Sequence, residues 1–450
     1  MSWFTEAAQG AVERCLGHVS PYGTLPLTED AIADLRQCTP PRHAVSIQPN
    51  KDGGGIANGI DLLTAVHSAR SRGLPMLSKS DAPTHAFEMR NINGKIGFQY
   101  VMGREKDQRQ LERQLETFYP DAHIQVSEHP HPGLLPLEKG RHVAIATLRL
   151  RQRENGKHLY PIKHVDVEGF ENDPYGSITA EMIGERETDT RTDVAVQVIF
   201  RPASAKWWKG GLLSAGIDEI ADELKQPHKE FTMVDALKYE ARPEQSSLKG
   251  EERDPSDQDL RASKIVRRQR GEKGFRLNVR ILAVSDDPEE AIARVDETAE
   301  MFEGYYESTT EQGFEPVPRK GKEMKQVLRQ AFAREWADEK MVMGVRSAAG
   351  LMHIPNESIN TQNVEWSLTS HAGDVPADAA RFSDYQTEGV EWEKGDRSHL
   401  LTEERWQYDL AAVYDESEHG PPADDGPEGP DQSDRASRDD SEDDPVEATA

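Results

Sequence analysis

The stretch that decides the fold is FEMRNINGKIGFQYVMGREKDQRQLERQLETFYPDAHIQV, residues 87–126. Asn93-Gly94 suits the two positive-φ positions of a type I′ turn, and residues of alternating character flank it on both sides. This turn would place Met89 opposite Phe98, so that the large side chains share one face of the hairpin. Beyond the hairpin the apolar period becomes helical and then ends before a further strand near His123–Val126. The pattern predicts a β-hairpin, a helix and a strand.

A similar arrangement recurs later in the chain. Phe275–Val284 alternates apolar residues along one face, and Asp287-Pro288 has the residue types that begin a helix. A strand followed by a helix that packs on it, found twice, predicts an α+β fold. We expect two ferredoxin-like sandwich units, each an antiparallel sheet with helices on one face. The two units match in pattern rather than in residues.

Shifts in composition divide the chain into six segments. They are a lead-in (1–84), a first α+β domain (85–205), a helical and charged insertion (206–262), a second α+β domain (263–372), a C-terminal extension (373–414) and an acidic tail (415–450). The tail holds 14 Asp and Glu and two Arg, but no Leu, Ile, Phe or Trp. It cannot bury enough apolar surface to offset the entropy of ordering, so we predict that it is disordered.

The charge balance is strongly acidic. The chain has 81 acidic and 54 basic residues and a formal net charge of −27, of which the tail carries −12 and the rest −15. This charge repels nucleic acid and anionic membranes in dilute salt. In molar salt the Debye length falls to about 3 Å, so the repulsion is screened. The composition therefore indicates a halophilic protein, with acidity unrelated to salt as the alternative.

The compartment follows from what the sequence lacks. Cys15 and Cys38 are its two cysteines, which excludes a disulfide framework. Glu6 and Glu13 stand where a signal peptide needs basic and then apolar residues, and no apolar run reaches the length of a membrane span. We expect a cytoplasmic protein without direct membrane insertion, which would reach a membrane only through a partner.

One candidate contact surface lies in a predicted second hairpin with its turn at Asn155-Gly156. The strand over residues 143–153 would present Arg149, Arg151 and Arg153 on one sheet face. Three neighbouring guanidinium groups favour a contact with phosphate or an acidic peptide. The alternative is a solvated face whose arginines pair with the many nearby carboxylates.

A second candidate surface lies in and after the insertion. Trp207 and Trp208 are adjacent and flanked by lysines, which is typical of a membrane interface or of a packing contact. Because an acidic helix follows them, packing against a partner or against the parent domain is the better interpretation. Arg267, Arg268 and Arg270 belong to a basic run, interpreted as a DNA or partner contact or as a solvated linker.

No motif of a known chemistry is present. The chain lacks a P-loop, a dinucleotide-binding glycine motif, HExxH, paired cysteines and the GxSxG elbow. Residues 52–55, Asp-Gly-Gly-Gly, are followed by no Lys-Ser or Lys-Thr, so we interpret them as a turn. His129 and His131 alternate with prolines that splay them apart, which predicts a loop rather than a metal site. We assign no catalytic, cofactor-binding or metal-binding residue and predict a protein that is not an enzyme.

Several segments, taken in order, resemble a known family. They are FEMRNINGKIGFQYVMG, GFENDPYGSI, VAVQVIFRP, FRLNVRILAVSDDPEEA and AAGLMHIPNESINTQNVEW. Together they resemble the N-terminal, non-ATPase region of archaeal and Gram-positive conjugative type IV secretion, or DNA-transfer, ATPases of the HerA/FtsK superfamily, over roughly residues 85–370. In such proteins a P-loop motor follows this region, whereas here HIPN at 353–356 precedes the extension and the acidic tail.

The resemblance implies an accessory or adaptor subunit in a haloarchaeon that pairs with a separate P-loop DNA-transfer ATPase. It carries over no catalytic residue. Two further hypotheses stay open on the residues alone. One is a DNA-binding protein that uses the two arginine surfaces. The other is a structural protein of a virus or mobile element, which would form a homo-oligomer.

Overall fold

The computed structural model describes residues 20–37, 42–67, 83–127, 133–164, 170, 173–184, 190–210, 215–230, 251–337, 341–359 and 363–367. The strands are β1 Thr24–Pro26, β2 His43–Gln48, β3 His85–Ile92, β4 Lys95–Met102, β5 His123–Val126, β6 His142–Leu150, β7 Thr192–Pro202, β8 His228–Glu230, β9 Glu251–Arg253, β10 Gly274–Ser285, β11 Phe314–Pro318 and β12 Val342–Gly344. The helices are α1 Glu29–Gln37, α2 Ile56–Val66, α3 Glu105–Phe118, α4 Tyr175–Ile183, α5 Ile217–Glu223, α6 Asp257–Arg268, α7 Pro288–Glu300, α8 Gly321–Phe332 and α9 Val345–Met352.

The hairpin predicted from Asn93-Gly94 is confirmed. Both turn residues have positive φ, 53° at Asn93 and 77° at Gly94, as a type I′ turn requires. Strands β3 and β4 pair in the predicted register, with Met89 opposite Phe98. The large apolar side chains consequently lie on one face of the sheet, where they enter the main core.

The hairpin is the centre of a ferredoxin-like unit. In chain order the first unit is β2, α2, β3, β4, α3, β5, and its strands lie side by side in the order β3-β4-β2-β5. Every neighbouring pair is antiparallel. Numbered within the unit, the order is 2-3-1-4, which is that of the split βαβ fold.

A second unit repeats this topology. Its elements in chain order are β6, α4, β7, β10, α7 and β11, and its strands lie in the order β7-β10-β6-β11, again 2-3-1-4. The α+β class and the two predicted ferredoxin-like units are therefore confirmed. The helical insertion is also confirmed: α5, β8, β9 and α6 stand between strands β7 and β10, where the first unit has only its two-residue turn.

The two units share one sheet instead of forming separate ones. Strand β7 pairs with β10 on one side and with β3 on the other, so the second strand of each unit forms the joint. The pair Glu88 and Gln197 lies at its middle. The arrangement has approximate two-fold symmetry in topology, since the strand order 4-1-3-2 is followed by 2-3-1-4.

The two units begin and end at residues that differ from the predicted domain boundaries. Strand β2 and helix α2 begin the first unit although they lie in the segment predicted as a lead-in, 1–84. Strand β7 belongs to the second unit although it lies in the predicted first domain, 85–205. The reason is that an Asn-Gly turn marks the middle of a ferredoxin-like unit, between its second and third strands, and not its beginning.

Helices cover both faces of the sheet. The four helices of the two units, α2, α3, α4 and α7, bury their apolar residues in one large cluster on one face, as predicted for ferredoxin-like units. On the opposite face α1 and α8 pack over β6, β7 and β10 in a second, smaller cluster. These two helices lie outside the repeated topology, and they cover the second unit's part of the sheet on the face that the prediction left open.

The second predicted hairpin is wrong. Asn155 and Gly156 do have positive φ, 50° and 82°, but a 3₁₀ turn over Lys157–Leu159 follows them and no partner strand forms there. Leu159 and the next residue, Tyr160, are buried in the cluster of the insertion, which draws the chain away from β6. Strand β6 ends at Leu150 and pairs instead with β10, β1 and β11.

The expectations for the extension at 373–414 and for the disordered tail at 415–450 fall outside the described residues. In the part of the chain that the structure does describe, every helix is too short or too polar to cross a lipid bilayer.

Candidate functional site

Arg149, Arg151 and Arg153 form an arginine group at the end of β6. Arg149 is the one that lies in the strand, and its guanidinium donates two hydrogen bonds, of 2.9 and 2.8 Å, to Glu315 opposite it in β11. Arg153 is 3.9 Å from the same carboxylate. Arg151 pairs with Glu303 at 2.6 Å and stacks on the ring of Tyr306. The three arginines therefore face carboxylates of their own chain.

The electrostatics of the arginine group follow from these contacts. The hydrogen bonds from Arg149 lower the pKa of Glu315 below its ordinary value, so that carboxylate stays ionised. All three arginine side chains are about half exposed. A phosphate approaching them would have to compete with Glu315 and Glu303, which already balance most of their charge.

Trp207 and Trp208 lie where the insertion packs on its own unit. The indole Nε1 of Trp207 donates to the Glu272 carbonyl at 2.8 Å, and its ring covers Gly274, where any side chain would overlap it. Lys209 and Arg270 lie 5.2 and 5.3 Å from the centre of the Trp208 ring. Both rings are partly buried against the insertion cluster. The predicted packing against the parent domain accounts for Trp207, while Trp208 is partly exposed.

Arg267 and Arg268 end helix α6, and Arg270 follows it. The interpretation of this run as a solvated linker is wrong, because Ser256 and Asp259 form a capping box that begins a 12-residue helix here. Arg267 pairs with Asp222 of α5, and Arg270 lies 3.4 Å from Asp218. These ion pairs hold the two insertion helices together.

The structure thus divides the predicted contact residues into two groups. Trp207, Trp208, Arg267, Arg268 and Arg270 form what we call the insertion corner. The arginine group lies on the opposite side of the turn that contains Gly156 and ends before Tyr160. Gly156 of this turn packs on Ile220 in α5, and the Leu159 carbonyl accepts a hydrogen bond of 2.8 Å from Gln269 beside the insertion corner. The two groups flank one turn.

A row of polar side chains, all buried except the partly buried Ser46, crosses the joint between the units. In strand order its members are Ser46, Gln99, Glu88, Gln197, Arg280 and Thr147, each directly opposite the next. They lie on the face covered by α8. Gln197 donates to Glu88 at 2.8 Å and to the Ala331 carbonyl at 3.0 Å, and Arg280 donates to Gln197 at 3.2 Å. The row joins the end of α8 to the middle of the sheet.

Glu88 is the charged centre of this polar row. It is fully buried, and Arg334 donates to both of its oxygens at 2.8 and 3.0 Å. Burial acts to raise the pKa of Glu88, but the charge and hydrogen bonds of Arg334 outweigh it and lower the pKa below its ordinary value. The pair is therefore ionised and held within the protein.

Sequence reasoning missed a second buried site, at the end of α9. His353 exposes no surface; its Nε2 lies 2.7 Å from Asp173 and its Nδ1 3.1 Å from the Ala349 carbonyl. The ring of Tyr175 stacks on the imidazole at 4.1 Å. Asp173 is 180 residues away in sequence, so no local pattern could have connected it with His353.

Tyrosines complete this site. The Tyr305 hydroxyl donates to the Gly350 carbonyl at 2.8 Å, and that of Tyr100 donates to Met352. Burial raises the pKa of both tyrosines well above 10, so they remain neutral donors. With His353, they satisfy carbonyls that the last turn of a helix leaves without partners. The arrangement caps α9 and leaves no exposed group that could act on a substrate.

No group of three or more His, Cys, Asp or Glu side chains that could hold a metal ion occurs among the residues described. At the insertion corner Lys209, Arg268 and Arg270 are exposed, and Trp208 and Arg267 are partly exposed. Side chains of these types can make aromatic and ionic contacts.

Comparison with known proteins identifies a family and no more. Residues 18–367 match the model of a family described as a domain of unknown function (DUF8128), which covers both ferredoxin-like units and the insertion. Among curated proteins no sequence matches.

Proposed function

We propose a function for this chain, which belongs to the DUF8128 family: it is a non-enzymatic accessory subunit that binds a separate DNA-transfer ATPase in the cytoplasm of a halophilic archaeon. The ATPase would supply the P-loop motor, and this chain would supply an adaptor. The class of partner rests on the resemblance to the non-ATPase region of such motors. The way in which the chain would hold a partner rests on its structure.

The segments that carry the resemblance are elements of one continuous framework. They include the central hairpin, strand β7, the strand and helix β10 and α7, and the end of α9. Helices cover one face of the whole sheet and, on the other face, strands β6, β7 and β10, which leaves less sheet surface for a partner. We therefore look for the contact on an element added to the repeated framework.

The observation that carries the proposal is the insertion. Two units of the same topology differ in that one replaces a two-residue turn by residues 203–273, whose described helices α5 and α6 form an apolar cluster with Leu159 and Tyr160. At its surface the partly exposed Trp208 contacts two cations, Lys209 and Arg270. Tryptophan, tyrosine and arginine are enriched among the residues that carry most of the binding energy near the centre of protein interfaces. We therefore place the contact with the ATPase at the insertion corner.

A pull-down from a halophilic host tests the proposal. The tagged full chain is recovered in molar potassium chloride, and the bound proteins are identified by mass spectrometry. We expect a P-loop ATPase in near-stoichiometric amount with the wild type and its loss with Trp208→Ala. The matched control is Trp336→Ala, because Trp336 is also partly buried, also carries an arginine over its ring, Arg201 at 5.1 Å, and belongs to the segment after α8 and not to the insertion.

Three results would count against the proposal. Recovery of no ATPase by the wild type would contradict the proposed partner. Equal recovery by Trp208→Ala and the wild type would contradict the insertion corner as the contact site. ATP hydrolysis by the purified chain, in the absence of any other protein, would show that the chain is itself an enzyme.

A second candidate function is DNA binding through the arginine group. The half-exposed guanidinium groups of Arg149, Arg151 and Arg153 favour it. Their pairing with Glu315 and Glu303 opposes it, since phosphate must displace a carboxylate that is already in place. On balance the geometry supports the adaptor better.

A further inference from the structure

The two outer strands of the sheet occupy equivalent positions. Strand β5 is the fourth strand of the first unit and β11 is the fourth strand of the second. Each pairs antiparallel with the first strand of its unit, β2 or β6. The register makes Gln125 equivalent to Val317, because their partners, Ser46 and Thr147, hold equivalent places in the polar row.

The β11 edge is closed to further pairing. The Arg151 amide donates to the Gly313 carbonyl at 2.9 Å, so residues 313, 315 and 317 direct their backbone groups towards β6. Residues 314, 316 and 318 then face outward. Two of these are Pro316 and Pro318, which have no N–H to offer another strand. Proline at outward positions is a recognised way to protect a sheet edge.

The β5 edge has the same geometry without the protection. The Ser127 amide donates to the Ala44 carbonyl at 2.9 Å, so residues 127, 125 and 123 face β2. The backbone groups of Ile124 and Val126 therefore point outward. These two residues are the equivalents of Pro316 and Pro318. Strand β5 contains neither proline nor a charged Lys, Arg, Asp or Glu, and no other described strand pairs with its outer side.

We propose that β5 pairs antiparallel with β5 of a second copy of this chain, giving a dimer with one continuous sheet. Two conditions restrict the register: opposite residues must share a face, and outward backbone groups must meet. Among the registers that satisfy both, the one with Gln125 on the two-fold axis, opposite Gln125 of the second copy, pairs the two outward residues of the strand with each other. Ile124 then meets Val126 of the second copy, and each such pair exchanges both of its backbone hydrogen bonds.

The strand is complementary to itself in this register. Gln125 is exposed and uncharged, and two amide side chains can hydrogen-bond with each other. Ile124 packs against the main core, so its contact with Val126 of the second copy would extend an apolar face. No charged residue of β5 is brought against its like. The chain already joins equivalent strands in this manner, because β3 and β7 are the second strands of the two units.

The size of the contact sets its strength. A pair of four-residue strands buries less than the roughly 1,200 Å² typical of stable interfaces, so we expect a reversible dimer that forms in a concentration-dependent way. The net charge of −27 opposes association, and molar salt screens this repulsion. The dimer should therefore strengthen as the salt concentration rises.

Sedimentation equilibrium of the full chain in molar potassium chloride tests the pairing, over protein concentrations from micromolar to millimolar. We expect a monomer–dimer equilibrium for the wild type. The double variant Ile124→Pro with Val126→Pro copies the closed edge onto the open one, and it should weaken the dimer by about tenfold or more. The control is Ile124→Val with Val126→Ile, which keeps both amides and should keep the dimer.

Hydrogen exchange of the wild type provides a measurement that does not depend on how the variant folds. Protection of the Ile124 and Val126 amides should rise with protein concentration, while that of Gln125, which faces β2, should not. A wild type that stays monomeric throughout overturns the inference, as does a dimer of equal strength in the proline variant. Protection that appears only after a different protein is added would also overturn it, by giving the edge another occupant.

Discussion

Glu88 and Gln197 face each other where the two ferredoxin-like units join, and the Gln197 amide donates to the Glu88 carboxylate at 2.8 Å. On the opposite face of the same two strands, Met89 lies against Val196. The joint is thus apolar on one face and hydrogen-bonded on the other. Its polar face depends on Arg334, which follows α8 and neutralises Glu88.

Glu88 and Arg334 should stabilise the protein only when both are present. Replacing Glu88 by Leu leaves a guanidinium buried without its counter-charge, and we expect the free energy of unfolding to fall by about 3–5 kcal/mol. Replacing Arg334 by Met should cost a similar amount. The free energy of unfolding of the double variant should fall by less than the sum of the two single losses, because the double variant leaves neither charge unpaired. Urea denaturation in constant molar salt measures all three, and additive losses would contradict the coupling.

Gly59 and Gly176 should respond to alanine in opposite directions. Both lie in helices, where alanine is ordinarily favoured over glycine by about 1 kcal/mol. A Cβ on Gly59 would lie 2.7 Å from the Cβ of His353, whereas one on Gly176 would meet nothing within 4 Å. We expect Gly59→Ala to destabilise the protein and Gly176→Ala to be neutral or stabilising. Thermal melts compare the two, and stabilisation by Gly59→Ala would show that α9 can move away.

His85 should make the protein sensitive to mild acid. Its Nδ1 accepts a hydrogen bond from the Gly103 amide at 3.1 Å, and burial lowers its pKa from 6.5 to about 4, although the charge of Asp107 acts the other way. The unfolded chain binds a proton in this interval that the folded chain does not. The contribution of His85 is therefore complete above pH 6.5 and is lost as the pH falls towards 4, by about 3 kcal/mol.

The measurement for His85 is the free energy of unfolding as a function of pH, for the wild type and for His85→Gln. The slope between pH 6.5 and 4 should be smaller in the variant by up to about one proton. Acidic side chains elsewhere contribute equally to both proteins, so the difference isolates the histidine. Parallel curves would show that His85 takes up its proton while the protein remains folded.

The arginine group should bind DNA weakly as long as its carboxylates are in place. We expect Glu315→Gln to strengthen binding, since Arg149 would then be free to meet phosphate, and Arg151→Glu with Arg153→Glu to have little effect on the wild-type level. Fluorescence anisotropy with a labelled duplex at several salt concentrations gives both the affinity and its salt slope. Tight, steeply salt-dependent binding by the wild type, abolished by the two charge reversals, would favour the DNA-binding function instead.

The sequence could predict those parts of the fold that short segments determine by their own turn residues and apolar alternation. Asn93-Gly94 and the alternation around it determine a turn, a register and a buried face together, and the structure agrees on all three. The strand and helix after Phe275 were recognisable for the same reason. Asn155-Gly156 gave an equal local signal and misled, because burial of Leu159 and Tyr160 outweighed the preference for a hairpin.

The remaining features depend on contacts between distant residues. Asp173 and His353 meet across 180 residues, and Glu88 and Arg334 across 246. Taken alone, each is an ordinary polar residue in a charged sequence. The predicted contact residues show the same limit. Their types were informative, but the carboxylates that pair with them come from β11, from α5 and from the 3₁₀ turn Met301–Tyr305, and they had no signal of their own.

The joint between β3 and β7 affects when the chain can fold during its synthesis. The first unit is synthesised early, yet its strand β3 would be left as an exposed edge until β7 is available, and Glu88 would lack its counter-charge until Arg334 has been added. We therefore expect that the first unit does not reach its final folded structure before the second unit has been synthesised. We expect both halves to acquire their final structure together, late in synthesis, and to lose it in a single cooperative step.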